Sequence, residues 1–129
     1  MALNLEGHLQ HIGVSTSNQK QTLAFFEAMG FSQFYESINP ANAALVVFMQ
    51  LGDIVIEVYL QKDSTSSPGA IDHIAISVDN IDEKYTQIYT MGYEIVEDSV
   101  KELPFWENGV RYFTVQGPSG EKIEFCQKL

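Results

Sequence analysis

The amino-acid sequence contains two copies of one unit of about 60 residues. Two short segments of the first copy recur in the second. His11–Ser15 (HIGVS) matches His73–Ser77 (HIAIS), and Met29–Phe31 (MGF) matches Met91–Tyr93 (MGY). The members of each pair are separated by 62 positions. A repeat of fixed period indicates a duplicated supersecondary unit, so the two halves are predicted to share one fold.

Each half is predicted to form a β-α-β-β-β module. In the first half, apolar patterns predict strands near 8–15, 31–37, 44–51 and 54–61, and a helix at 18–29 with Asn18 as N-cap and Leu23, Phe26 and Met29 as its apolar stripe. In the second half, they predict strands at 71–78, 93–98, 110–116 and 122–127, and a helix at 81–91 that ends at Gly92.

Half of this chain would be marginal as an independent domain, because it is too short to bury a large core. The sequence therefore predicts a single domain. Its parts are module one at 8–61, a polar linker at 62–69 and module two at 70–128.

Charge and composition exclude several classes of partner. Seven Lys and Arg against 17 Asp and Glu give a net charge of −10, which disfavours nucleic acid and anionic membranes. No apolar run approaches the roughly 18 residues that span a bilayer, and the first residues lack the features of a signal peptide. Cys126 is the one cysteine, so no internal disulfide is expected. These features predict a cytoplasmic protein.

One histidine begins each copy and one glutamate lies near its end. Because side chains alternate along a strand, His11 and Glu57 are expected on the face opposite the bulky apolar residues, and so are His73 and Glu124. Two imidazoles and two carboxylates suit a divalent Ni, Zn, Co, Mn or Fe ion. The alternative is a solvated sheet face, which explains each glutamate separately but not the repeated pattern.

The two halves differ in one place. The interval from His11 to Glu57 is 46 residues, and the interval from His73 to Glu124 is 51. The five extra residues are assigned to a longer loop around 103–108, in which Pro104–Trp106 could wall a pocket, act as a lid, pack locally or contact a dimer partner. Arg111 is expected in a surface ion pair rather than as a clamp for a substrate carboxylate.

These motifs resemble the vicinal oxygen chelate superfamily, which includes glyoxalase I, methylmalonyl-CoA epimerase, extradiol dioxygenases, and fosfomycin- and bleomycin-resistance proteins. The strongest motifs are His11–Val14 (HIGV), Asp72–Asn80 (DHIAISVDN) and Gly117–Phe125 (GPSGEKIEF). The resemblance implies an α+β fold with two tandem β-α-β-β-β modules forming a cupped mixed sheet around a metal, commonly in a homodimer.

Within the superfamily, the pattern of ligands resembles the glyoxalase I-like branch, whose four metal ligands correspond to His11, Glu57, His73 and Glu124. The resemblance implies a metal-dependent lyase or isomerase acting on a small molecule with adjacent oxygens. It implies proton transfer α to a carbonyl through a metal-bound enediolate, with Glu124 or Glu57 as base. Glu124 is preferred because the second copy retains the motif more fully.

Two departures argue against glutathione as the cofactor of the reaction. Residues 8–17 contain no arginine, and Tyr59–Lys62 replaces the segment in which glyoxalase I carries an asparagine. Three alternatives stay open: a metal-free, bleomycin-resistance-like protein that binds a cationic compound, a ring-cleaving dioxygenase, and a thiol transferase. The sequence also leaves open the identity of the metal, and whether the site lies within one chain or across a dimer.

Overall fold

The computed structural model describes residue 2 and residues 4–129. The chain divides into two units, Met1–Ser64 (unit 1) and Thr65–Leu129 (unit 2), which meet inside the predicted linker at 62–69. Unit 1 has the predicted β-α-β-β-β order and unit 2 has the same order with one additional strand, so the α+β class is confirmed. Within the described residues, neither helix has the length and apolar character needed to cross a membrane. The assignment of both modules to one domain stays a prediction.

Unit 1 contains one helix and a four-stranded mixed sheet. Its elements are β1 (Ile12–Thr16), α1 (Gln19–Ala28), β2 (Ser32–Ile38), β3 (Leu45–Leu51) and β4 (Ile54–Leu60). The strand order is β1-β4-β3-β2, in which β1 runs parallel to β4 and the other pairs are antiparallel. A tight hairpin at Gly52–Asp53 joins β3 to β4, and Gly52 has a φ of 58°, a conformation that favours glycine.

The core of unit 1 lies on one face of this sheet, against α1. Ile56 and Val58 of β4 are fully buried, whereas Glu57 between them is half-buried. The N-cap prediction is confirmed, because Asn18 Oδ1 accepts a hydrogen bond from the backbone N–H of Gln21 at 3.1 Å.

The predicted apolar stripe of α1 is partly wrong. The buried residues of this region are Thr22, Phe25, Phe26 and Met29, while Leu23 is half-buried. Thr22 can lie in the core because its hydroxyl donates to Thr16 Oγ1 at 2.8 Å, which satisfies both polar groups.

Unit 2 repeats this arrangement with one additional short strand. Its elements are β5 (Ile74–Ser77), α2 (Ile81–Met91), β6 (Glu94–Ile95), β7 (Lys101–Leu103), β8 (Val110–Gln116) and β9 (Lys122–Lys128). The order is β5-β9-β8-β6, with β7 also pairing with β8, and β5 runs parallel to β9. Gly92 ends α2 as predicted, with a φ of 83°.

The prediction of a strand over 93–98 is wrong beyond residue 95. Val96 N–H still donates to the backbone oxygen of Thr114 at 2.8 Å, but the Glu97 carboxylate then accepts the N–H of Thr114 at 2.6 Å. A side chain thus takes the place that a backbone carbonyl would hold in the ladder. The chain pairs with β8 again at β7, so residue 103 belongs to a strand and not to the predicted loop.

The first strand of each unit begins later than predicted. β1 starts at Ile12 instead of residue 8, and β5 starts at Ile74 instead of residue 71. The parallel pairing begins at Ile12 with Ile56 and at Ile74 with Ile123. Each candidate histidine therefore lies one residue before its strand.

A buried carboxyl group supports the turn that leads into β9. Glu121 Oε2 accepts the backbone N–H of Ser119 at 2.8 Å, while Oε1 is buried without a hydrogen-bond partner among the described residues. Burial raises the pKa of Glu121 above its usual 4.5, because the interior disfavours the charged form.

We expect this carboxyl group to make unit 2 less stable as pH rises. A carboxyl whose pKa is higher in the folded chain than in the unfolded chain favours folding when protonated, and this contribution is lost as pH increases from about 4.5 through the raised value. Urea unfolding at several pH values should therefore show a smaller loss of stability over this range for Glu121→Gln than for the wild type. If the free energy of unfolding depended on pH equally in both proteins, Glu121 would not be the group responsible.

Candidate metal site

In unit 1, a row of paired residues crosses the sheet on the face opposite the core. The strand register aligns Gly13, Glu57, Phe48 and Tyr35 in this row. His11 lies just upstream of β1, and its Nε2 is 3.8 Å from Glu57 Oε2. Gly13 lies beside this pair, where a Cβ would be 3.4 Å from the Tyr59 ring and 3.9 Å from the Glu57 carboxylate.

Unit 2 has the equivalent row on the equivalent face of its own sheet. The register aligns Ala75, Glu124 and Thr114. His73 Nε2 lies 4.0 Å from Glu124 Oε2, with the His73 side chain 42% and the Glu124 side chain 22% exposed. Each unit therefore brings together the histidine and the glutamate that the repeat predicts.

The other ring nitrogen of each histidine has a partner that orients the ring. His11 Nδ1 lies 2.5 Å from Gln10 Oε1, and His73 Nδ1 lies 3.0 Å from Asp72 Oδ2. In the tautomer in which Nδ1 donates to these oxygens, Nε2 is the nitrogen available to a metal on the side of the glutamate. This is the arrangement in which a neighbouring oxygen fixes the tautomer of a metal-binding histidine.

Asp72 is itself held in place. Lys122 Nζ lies 3.5 Å from Asp72 Oδ1, on the side away from the histidine. The hydrogen bond from His73 is the main reason that the pKa of Asp72 lies below its usual value, with a further contribution from Lys122. Asp72 is therefore ionised at neutral pH and can accept the hydrogen bond from His73 Nδ1.

Neither histidine–glutamate distance corresponds to a hydrogen bond, because 3.8 and 4.0 Å both exceed the usual donor–acceptor range. Both lie within the roughly 4.2 Å that two metal–ligand bonds of about 2.1 Å can span. Nitrogen and carboxylate oxygen donors fit a divalent cation of borderline hardness. Among the described residues of either unit, no third His, Cys, Asp or Glu joins the pair to form a larger cluster.

Residues outside these pairs have local partners. Arg111 forms the predicted surface ion pair, with two hydrogen bonds of 2.8 and 2.9 Å to Asp82. Trp106 is 67% exposed and packs against Lys128, whose Nζ lies 4.2 Å from the ring centre. Burial raises the pKa of the Cys126 thiol, which disfavours the reactive thiolate.

Sequence reasoning missed the two residues that orient the histidines. Gln10 and Asp72 occupy equivalent positions, one before each histidine, and both carry a side-chain oxygen. This shared property was visible in the repeat and could have identified them. Phe48, whose ring lies edge-on to His11 with ring centres 5.7 Å apart, could not be found this way, because the contact depends on the strand register.

A groove of about 520 Å³ lies on the same face of unit 1 as Glu57. Its lining includes Tyr35, Val46, Phe48 and Tyr59, together with residues of the β2–β3 turn. The groove has the size of a small-molecule site, and it places Glu57 beside aromatic rings.

The sequence profile of the glyoxalase/bleomycin resistance protein/dioxygenase superfamily matches residues 10–114. The chain belongs to this superfamily. The predicted membership is therefore confirmed at the level of the superfamily. The matched segment contains His11, Glu57 and His73, and Glu124 lies beyond it. A relative in Bacillus subtilis strain 168, the uncharacterized protein YwbC, is 29% identical over 126 residues, which cover 93% of this chain and 97% of YwbC.

Solved structures show the same fold. A glyoxalase family protein from Enterococcus faecalis superposes with a TM-score of 0.77 at 21% identity, covering 92% of this chain and 96% of that protein. The fosfomycin resistance protein FosX from Listeria monocytogenes, crystallised with Mn(II) and a sulfate ion, superposes with a TM-score of 0.75 at 17% identity, covering 97% and 95%. The predicted glyoxalase/bleomycin resistance-like fold is thus confirmed.

Proposed function

We propose that this protein is a metal-dependent lyase or isomerase of the glyoxalase I-like type. His11, Glu57, His73 and Glu124 would hold one divalent cation, within one chain or across a homodimer. The observation that carries the proposal is the repeated geometry, in which each unit directs an imidazole Nε2 toward a carboxylate at 3.8 or 4.0 Å. FosX, which shares the fold, was crystallised with Mn(II).

The number of metal-ligand atoms favours a site to which both histidine–glutamate pairs contribute. One histidine and one glutamate are too few for a stable protein site, which typically has at least about three protein ligands. Two pairs together supply two nitrogens and two oxygens, and they leave coordination positions for a substrate with adjacent oxygens. A cation held there would act as a Lewis acid that polarises the substrate carbonyl.

In this proposal the protein moves one proton between adjacent carbons of the substrate. Glu124 accepts the proton from the carbon α to the carbonyl and returns it to the neighbouring carbon. Its neighbours in the row are the small residues Ala75 and Thr114, which leave room for a substrate carbon beside the carboxylate. Glu57, by contrast, is flanked by the ring of Phe48.

Proton transfer at carbon can be detected without knowing the physiological substrate. We would load the full chain with Ni²⁺ and incubate it in D₂O with hemithioacetals, acyl-CoA epimers and catechols, and follow the products by NMR. The proposal predicts deuterium or rearranged product with one of the first two classes, lost after removal of the metal by a chelator. Oxygen uptake with catechols would instead identify a dioxygenase.

Removing either histidine is expected to lower metal affinity by at least about a hundredfold, since each supplies a nitrogen ligand. His11→Ala and His73→Ala should therefore both lose Ni²⁺ on dialysis. His8→Ala provides the matched control, because His8 is exposed and lies outside both pairs. Equal metal binding by all three variants and the wild type would rule out the site.

Asp72 is expected to act as a positioning residue for His73. Its replacement by alanine removes the acceptor at Nδ1 and should weaken metal binding by about 10- to 100-fold. Asp79→Ala is the control, because Asp79 is an exposed acid in the same segment. Calorimetric titration with Ni²⁺ measures both affinities. An equal loss of Ni²⁺ affinity in Asp79→Ala would show that Asp72 acts only through the net negative charge of the protein.

A metal-free protein that binds a cationic compound is the second candidate. The net charge of −10 and the position of Glu57 in an aromatic groove favour it. The metal titrations above separate the two candidates, because only the enzyme requires both histidines.

A further inference from the structure

We propose that unit 1 carries a binding subsite for a flat, uncharged aromatic group of the substrate. The ligand class is then an aryl compound with two adjacent oxygens. This inference rests on the proposed metal-dependent function and adds the chemistry that selects the substrate. The subsite is formed by the aromatic wall, which we define as Phe34, Tyr35, Phe48 and Tyr59.

The rings of the aromatic wall are continuous with the histidine–glutamate pair. Phe48 is central: its ring centre lies 6.3 Å from that of Phe34 and 5.8 Å from that of Tyr35. The same ring lies 5.7 Å from His11. Tyr59 is two residues from Glu57 along β4 and lines the same groove. A substrate bound to a cation that His11 and Glu57 would hold therefore lies beside these rings.

A β-bulge places two consecutive aromatic residues beside Phe48. The register of β2 with β3 shifts between Gln33 and Tyr35, so that Phe34 is an extra residue without a pairing position. Regular alternation would send the neighbouring side chains at 34 and 35 to opposite faces. Because of the bulge, both rings contact Phe48, although they remain 54% and 58% exposed.

The groove offers no basic side chain to an anionic substituent on the ring. Glu57, a proposed metal ligand, is the one carboxylate among its described lining residues, and no lysine or arginine lines it. A carboxylate carried by the ring itself would therefore be buried among the rings without a charged partner. A volume of about 520 Å³ accommodates a substituted ring.

The aromatic wall belongs to unit 1 and not to the repeat. In unit 2, Thr114 occupies the position of Phe48, and Cys126 occupies that of Tyr59. The two halves have thus diverged on this face while they keep the histidine–glutamate pair. This divergence restricts the proposed aromatic subsite to unit 1.

Two hydroxamates that share one chelating group test this proposal. Benzohydroxamate and acetohydroxamate both present two adjacent oxygens, but only the first carries a ring. We would titrate each into the Ni²⁺-loaded full chain by calorimetry. Benzohydroxamate should bind at least about tenfold more tightly, as burial of the ring surface predicts, and a 4-carboxy derivative should lose this advantage.

Two tyrosine variants test where the phenyl ring of benzohydroxamate binds. Tyr35→Ala should bring the ratio of the two affinities close to one, because it removes part of the wall without touching His11. Tyr89→Ala is the matched control, since Tyr89 is an exposed tyrosine of α2, and it should keep the wild-type ratio.

Other outcomes overturn the proposal in distinguishable ways. Equal affinity of the wild type for both hydroxamates would remove the subsite and leave the metal function intact. Binding of neither would refute the metal function itself. An unchanged ratio in Tyr35→Ala together with a changed elution volume in gel filtration would show that the wall is a protein interface.

Discussion

Replacing Glu124 with glutamine is expected to lower kcat by at least about a hundredfold, the usual effect of losing a general base. Glutamine has nearly the same shape and can still offer an oxygen to a cation, but it cannot accept the proton. The rate of deuterium incorporation is measured with the substrate that the D₂O experiment identifies. This rate is divided by the amount of metal bound in each sample.

Glu57→Gln is the matched variant for this test. It changes the equivalent residue of the other unit, whose carboxylate also faces a histidine, at 3.8 Å. We expect a smaller loss of kcat in Glu57→Gln once metal content is equal. A larger loss there than in Glu124→Gln would assign the base to unit 1. Full activity in both variants would show that neither carboxylate takes the proton.

Phe26→Ala is expected to destabilise the protein by about 3–5 kcal/mol, because it leaves a cavity in the core of unit 1. Phe26 is fully buried, and its ring packs against Phe25 and Phe31 with ring centres 5.1 and 5.4 Å apart. Urea unfolding monitored by circular dichroism measures the change in the free energy of unfolding.

Phe34→Ala is the control for this prediction, because Phe34 is also a phenylalanine of unit 1 but is 54% exposed. It lies in the aromatic wall on the opposite face of the sheet, so its loss should change stability by less than about 1 kcal/mol. If Phe34→Ala were as destabilising as Phe26→Ala, the wall would be part of a packed core and not an open subsite.

The sequence was sufficient for features that depend on local pattern. Period-2 alternation predicted that Ile56 and Val58 would be buried and that Glu57 would face away, and this is observed. Gly92 and Asn18 marked the ends of helices because their backbone and side-chain chemistry suits those positions.

Features that depend on non-local pairing could not be predicted. The replacement of a ladder carbonyl by Glu97 shortens β6, and nothing near Glu97 in the sequence indicates that Thr114 will be its partner. The bulge at Phe34 likewise arises from the register with β3. For this reason the sequence identified the residues of the candidate site but not the aromatic wall beside it.

X-ray absorption spectroscopy of the Ni²⁺-loaded protein tests most directly whether both copies of the repeat bind one ion. A site formed by both histidine–glutamate pairs predicts one nickel per chain, with two imidazole ligands. The remaining ligand atoms should be oxygens at about 2.0–2.2 Å from the nickel. In samples kept saturated with Ni²⁺, His11→Ala and His73→Ala should each reduce the imidazole count by one. A wild-type spectrum with a single imidazole per nickel, or with none, would contradict it.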